Sequence, residues 1–227
     1  MKRVIALALL VMMMAATPAI AQEPAGTIVQ SSCSIVQSGG YYLAYCFAQV
    51  RNNSDQVLCL DEGVFHLLGG EEAIASEEVS KLWPQFLAPG EEGYLFDIVP
   101  FEQLPQVTGI DYDVRYLEIN PAYAGLPLET AARVELDEDT GLMTVVCEVQ
   151  NGAGMDAYDP TVVVGLYTDA GQLLYSDGRA LKDVGIPADG RLMVRFAVEP
   201  MLVEQWMSYN ALPTQVRAGT MFRTGSD

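Results

Sequence analysis

Apolar and polar residues alternate with period two along most of the chain, the spacing of half-buried β-strands. In "LMTVVCEV", Met143, Val145, Cys147 and Val149 fall on one face of an extended segment. "VVVGLY" and "RLMVRFAV" are β-branched or aromatic runs bounded by turn residues, a further strand signature. Between such runs, "QSGGYY" and "YTDAGQLLYS" carry Gly39-Gly40 and Gly171, which can take the positive φ that tight hairpins require. Asn52-Asn53 marks another expected turn centre. Only "PFEQL" and "PMLVEQWM" offer a helical turn. The pattern predicts an all-β protein.

The chain also resembles itself when displaced by about 99 residues, a self-similarity that bears on domain count. "FAQVRNNSDQVLCLDEGVFHLLGG" then lies over "VCEVQNGAGMDAYDPTVVVGLYTD", with Val50 on Val149, Asn52 on Asn151 and Leu67 on Leu166. Leu87 before "APGEE" meets Ile186 before "PADGR". Each unit holds roughly six or seven strands, the content of an immunoglobulin-like sandwich. We therefore expect two tandem immunoglobulin-like β-sandwich domains, residues 22–119 and 130–227. The proline-bearing stretch "NPAYAGLPLE", residues 120–129, is expected to be a partly stiff linker.

"VVVGLYTDAGQLL", following "CEVQNGAG" and preceding "IPADGRLMVRFAV", resembles the FxLYD domain family of bacterial exported proteins. Val164, Leu166, Tyr167 and Asp169 stand near that motif in the second unit, and Phe65 and Leu67 in the first. Val164 replaces the motif's Phe, Thr168 intervenes before Asp169, and the first unit has Leu68-Gly69 in place of Tyr-Asp. The resemblance implies a β-sandwich of surface and secreted proteins, often in tandem, with no shared chemistry.

The N-terminus supplies an address. Lys2 and Arg3 precede an apolar run, and "TPAIAQ" places Ala19 and Ala21 where signal peptidase accepts small residues. Residues 1–21 are thus expected to be a signal peptide, which puts the chain in the periplasm, at the cell surface or outside a bacterial cell. After cleavage no second apolar run has spanning length. Losing Lys2 and Arg3 makes the formal charge of -18 more negative still. Such acidity repels nucleic acid and anionic lipid, while a hydrophobic content of 50% suffices for a core.

Candidate chemistry is sparse. Cys33, Cys46 and Cys59 recur at equal spacing, too far apart for a zinc motif. Folding the chain about Gly39-Gly40 sets Cys33 opposite Cys46, and folding it about Asn52-Asn53 sets Cys46 opposite Cys59. In an exported chain either pair is a disulfide candidate, Cys33–Cys46 first. Cys147 reads as a buried thiol. His66 is the single histidine, turned by alternation from the face of Phe65 and Leu67. Asp137 and Asp139 in "LDEDTG" are weak calcium candidates, lacking the spaced ligands of a dedicated loop. The other acidic pairs, Glu91-Glu92 among them, read as solvated turn residues. Trp83 and Trp206 lean towards the core, with Tyr41, Tyr42 and Tyr158 near turns. No catalytic residue and no cofactor is expected. The reading is an exported, non-catalytic binding or surface-scaffold protein, monomeric, with an envelope protein or glycan as partner. The alternatives are a carbohydrate-active or carbohydrate-binding accessory module and a calcium-stabilised adhesion module.

Overall fold

The computed structural model describes residues 24–79, 81–137 and 139–222; the expected signal peptide and Glu138 lie outside them. The protein is all-β, built from antiparallel sheets. The first half contains β1 (Gly26–Ser38), β2 (Tyr41–Asn52), β3 (Val57–Gly69), β4 (Glu72–Glu78), β5 (Leu82–Trp83), β6 (Phe86–Leu87), β7 (Glu92–Phe101) and β8 (Gly109–Ile119). The second half contains β9 (Leu126–Asp137), β10 (Leu142–Gln150), β11 (Ala157–Tyr158), β12 (Thr161–Tyr167), β13 (Leu173–Ala180), β14 (Gly185–Ile186) and β15 (Arg191–Ala197). Helix α1 (Pro200–Ser208) and β16 (Gln215–Phe222) complete it.

In the first half, the sheet β1-β2-β7-β5 packs on a second sheet in which β3 is flanked by β4, β6 and β8. Between them lie Ala44, Cys46, Ala48, Val50 and Leu95 from one side and Leu58, Phe65 and Leu67 from the other. The Gly39-Gly40 turn forms as expected, with φ of 56° and 94°, and it sets the β1–β2 register. In the second half one six-stranded sheet runs β13-β12-β16-β9-β10-β15. Strand β9 joins its two parts: it pairs with β10 from Glu129 to Asp137 and with β16 from Leu126 to Leu128. That pairing draws the end of the expected linker into a strand, after a 3-10 turn at Pro121–Tyr123 capped by the Asn120 side chain.

Asn52-Asn53 does not turn a hairpin. Strand β2 pairs with β1 and β7, whereas β3 belongs to the facing sheet, so the chain crosses between layers at Asn52. The side chain pins that corner. Its Nδ2 donates to the carbonyls of Gln56 (2.8 Å) and Leu87 (2.9 Å), and its Oδ1 accepts from the Ser54 amide (2.9 Å). Asn151 does likewise after β10: Nδ2 donates to Met155 O and Ile186 O, both at 2.8 Å, and Oδ1 accepts from the Ala153 amide at 3.0 Å. Both asparagines are fully buried, which is tolerated because these bonds satisfy them. Of the two expected helical turns, "PMLVEQWM" forms α1, burying Leu202, Val203 and Trp206. "PFEQL" instead begins in β7 and ends in irregular chain.

The two halves share a face. Residues 44–50 of β2 are buried without interruption, as are residues 162–167 of β12. Strands with this pattern are covered on both sides. On the outer face of β2 and β7, Tyr45, Phe47 and Tyr94 join the hydrophobic cluster of the second half, with Phe96 packed against it. Phe47 stacks on Phe96 (5.2 Å) and meets Tyr175 (5.4 Å). The hydroxyls of Tyr94 and Tyr167 share a 2.8 Å hydrogen bond. Gln30 donates to Gly171 O and accepts from the Leu173 amide, while Gln205 on α1 donates to Ile35 O. Two strand glycines permit the approach. A Cβ at Gly165 would stand 2.6 Å from the Tyr94 hydroxyl, and one at Gly178 would collide with the Trp83 ring. Glycine inside a strand commonly marks such a close approach.

Gly178→Ala is therefore expected to destabilise the protein by about 1–3 kcal/mol in urea unfolding. In a Trp83→Ala background the same change should cost close to nothing. An equal cost in both backgrounds would show that Trp83 does not press on Gly178.

Candidate functional site

One recess lies where the halves meet. Pro84, Gln85 and Phe86 from the first half face Tyr158, Thr161, Lys182 and Phe222 from the second, around a volume of about 550 Å³. A neighbouring recess of about 310 Å³ shares Gln85, Thr161 and Ala180 and is lined also by Lys81, Leu82 and Trp83. Pairing of β6 with β3 and of β14 with β11 places these segments: Leu58 opposes Leu87 and Cys59 opposes Phe86, while Ala157 opposes Ile186 and Tyr158 opposes Gly185. The Asn52 and Asn151 corners hold the same segments through Leu87 O and Ile186 O.

One wall is a corner of two aspartates in the left-handed region, Asp159 (φ 48°) and Asp183 (φ 60°). The Asp183 amide donates to Asp159 Oδ1 at 2.6 Å, and the Asp159 amide to Val184 O at 3.0 Å. These bonds offset the strain of a conformation that side-chain-bearing residues seldom adopt. Above it Tyr158 is 61% exposed, an aromatic face open to solvent. The described residues contain two lysines, Lys81 and Lys182, and both line these recesses. Lys81 sits 6.0 Å from the centre of the Trp83 ring. Lys182 brings positive charge to a recess that Asp159 and Asp183 also line.

Beneath the seam, burial pushes the Asp177 carboxyl above the usual carboxylate range. The Gly178 amide (2.7 Å), the Tyr175 hydroxyl (3.3 Å) and the charges of Arg179 and Lys81 oppose that shift in part. Glu92, expected as a solvated turn acid, instead accepts from Gln49 (2.5 Å) and stands 3.9 Å from Arg217, whose guanidinium lies over Tyr167. Glu91 is likewise engaged, accepting from the Ala88 amide at 2.7 Å. A separate acidic groove between β3 and β8 holds Asp61, Glu62, Glu78 and Asp113, with Arg115 paired to Asp61 (2.6 Å) and Glu62 (3.1 Å).

The motif residues Phe65, Leu67, Val164, Leu166 and Tyr167 are all buried. They build cores. Asp169 lies beyond β12, where its carbonyl accepts from Gln215. Cys33 and Cys46 are opposite in register, as the hairpin arithmetic requires, yet they stand as thiols with sulfurs 3.9 Å apart. Cys59 lies in the facing sheet, so it does not oppose Cys46 across a hairpin. Burial pushes the Cys147 thiol up to about 11. His66 bonds Ser76 Oγ through Nδ1 at 2.8 Å, away from the Phe65–Leu67 face. Asp137 and Asp139 are not brought into a cluster: Asp137 Oδ1 accepts from the amides of Asp139 and Thr140, shaping the β9–β10 turn. Those donors hold its carboxyl below the usual range. No group of three or more His, Cys, Asp or Glu side chains suited to a metal occurs among the described residues. Trp206 is buried on the inner face of α1, and Trp83 lies partly buried at the seam. Lys81 and Lys182 were not singled out from sequence, although their rarity in the chain was the available signal.

No protein-family model matches the chain, and no curated protein does. Among solved structures, red sea bream transglutaminase aligns over 88% of this chain and 32% of its own, at 8% identity and a TM-score of 0.23. Procruciferin, an 11S globulin from Brassica napus, aligns over 88% and 85%, at 9% identity and a TM-score of 0.15. Likeness at this level identifies neither fold family nor activity. The class that the structure itself defines is an all-β protein of packed antiparallel sheets. No helix among the described residues is long and apolar enough to cross a membrane.

A raised carboxyl contributes stability that is complete below its unfolded pKa and is lost as pH rises through its folded pKa. Replacing Asp177 by Asn removes that loss. The variant should gain on the wild type in urea midpoint as pH rises from about 4. A relative gain on acidification would contradict the assignment.

Proposed function

We propose that this is an exported, non-catalytic binding protein of two tandem immunoglobulin-like sandwiches, related to the FxLYD type, that takes its ligand in the cleft at their seam. The observation that carries the reading is the recess of about 550 Å³ to which both halves contribute and in which Tyr158 is exposed. The tandem relationship is supported by Asn52 and Asn151, whose side chains hold corners with matched partners. It is supported too by the β3–β6 and β11–β14 pairings. Sites between domains are common for ligands. Tyr158 and Phe86 offer apolar faces, and Lys81 and Lys182 favour a ligand bearing acidic groups. An acidic envelope glycan or an acidic protein segment has that chemistry. The glycan reading has one observation of its own: an open tyrosine beside Asp159, Asp183 and Lys182, where a sugar ring can stack and find polar partners.

The test uses residues 22–227 in binding assays on acidic and neutral polysaccharides and in capture from the producing organism's envelope. Binding that prefers acidic ligands and falls at least about tenfold, or 1.4 kcal/mol, in Tyr158→Ala and Lys182→Glu is the expected result. Binding indifferent to both substitutions would move the site elsewhere. Hydrolysis of any polysaccharide would replace this reading with that of an enzyme.

A further inference from the structure

Cys33 and Cys46 differ in ways that matter for chemistry. They are opposite residues of β1 and β2, and opposite side chains in an antiparallel pair lie close enough for a cross-strand bond when the sulfurs rotate towards each other. Cys46 donates its S–H to the Cys33 sulfur at 3.9 Å. Cys33 is half-buried, on a strand that pairs only with β2 in its sheet, whereas Cys46 is 1% exposed between the two sheets of the first half. Of the two residues, Cys33 is the more open to solvent.

We propose that Cys33 and Cys46 form an ordered redox pair, with Cys33 the entry thiol and Cys46 the resolving thiol, oxidised by exchange with a small disulfide such as oxidised glutathione. The Cys33 thiolate attacks one sulfur of the small disulfide, whose S–S bond breaks to release one thiolate. Cys46 then gives its proton to solvent and attacks the Cys33 sulfur of the mixed disulfide, expelling the second small thiolate. Two protein thiols become one disulfide and one small disulfide becomes two thiols, so the two electrons pass to the small molecule. The donated hydrogen bond holds the Cys33 thiol below its usual range and, with burial, pushes that of Cys46 well above. This agrees with the order of attack, since the thiolate is the nucleophile.

The bond would tie down the strand that carries Gln30 and the Ile35 carbonyl, both of which bond to the second half. Oxidation is accordingly coupled to the seam. The proposal is independent of what the cleft binds.

The full chain is reduced, exposed to oxidised glutathione, alkylated and mapped by peptide mass spectrometry. The wild type should yield a linked Cys33–Cys46 peptide and a raised melting midpoint, with Cys59 and Cys147 carrying the alkyl label. Cys46→Ser, with Cys46→Ala as a second variant, should accumulate glutathione on Cys33. Cys33→Ser should leave Cys46 unmodified over the same time. A wild type without the linked peptide, a Cys46–Cys59 link in its place, or Cys46 reacting as fast alone as Cys33 does would each overturn the proposal.

Discussion

The outer face of β2 and β7 is apolar and aromatic, and covering it is the constraint around which the rest of the protein is arranged. Tyr45, Phe47, Tyr94 and Phe96 would otherwise face water on a sheet whose other face is already committed to its own core. Burying a large side chain of this kind is worth roughly 1.5–3 kcal/mol. The second half supplies the cover through β12 and β13, and its small residues set the distance. Gly165 and Gly178 let the rings of Tyr94 and Trp83 descend onto the strand backbone. Several polar groups caught in the contact are paired across it, Tyr94 with Tyr167 and Gln30 with the Leu173 amide. That pairing matters because an unmet buried donor costs more than a met one gains.

The cleft follows from the same packing. Sheets that meet over part of their area leave a margin where their loops diverge. Here the margin lies between the Trp83–Phe86 segment and the Tyr158–Thr161 and Ala180–Asp183 segments. The two asparagine corners fix those segments by holding Leu87 and Ile186 from the adjacent strands. A recess placed this way is sensitive to any change in the seam, and so is β1, whose Gln30 and Ile35 bond to the second half.

Strands and local turns were legible in the sequence because their causes are local. Gly39-Gly40 determines the β1–β2 register, and with it the facing of Cys33 and Cys46. Asn52 misled for a physical reason. An asparagine pair between strands resembles a hairpin turn, but this side chain satisfies a carbonyl at Leu87, a contact that no local pattern reveals. Likewise, "LAYCFAQV" and "VVVGLY" lack the polar face that a half-exposed strand keeps, a sign of burial on both sides that reads locally as mere strand propensity. The cleft was the least legible feature, since its residues come from segments far apart in the chain. Tyr158 stood out only as a tyrosine near a turn.

The shared core makes the two halves one cooperative unit. The chain has two tryptophans, Trp83 in the first half and Trp206 in the second, so each half carries its own reporter. Urea unfolding followed by Trp83 fluorescence in Trp206→Phe, by Trp206 fluorescence in Trp83→Phe, and by far-ultraviolet circular dichroism in both variants tests the claim. Within each variant the fluorescence and circular dichroism transitions are expected to coincide. A fluorescence transition clearly separated from the circular dichroism transition in either variant would show two halves that unfold independently, and would contradict it.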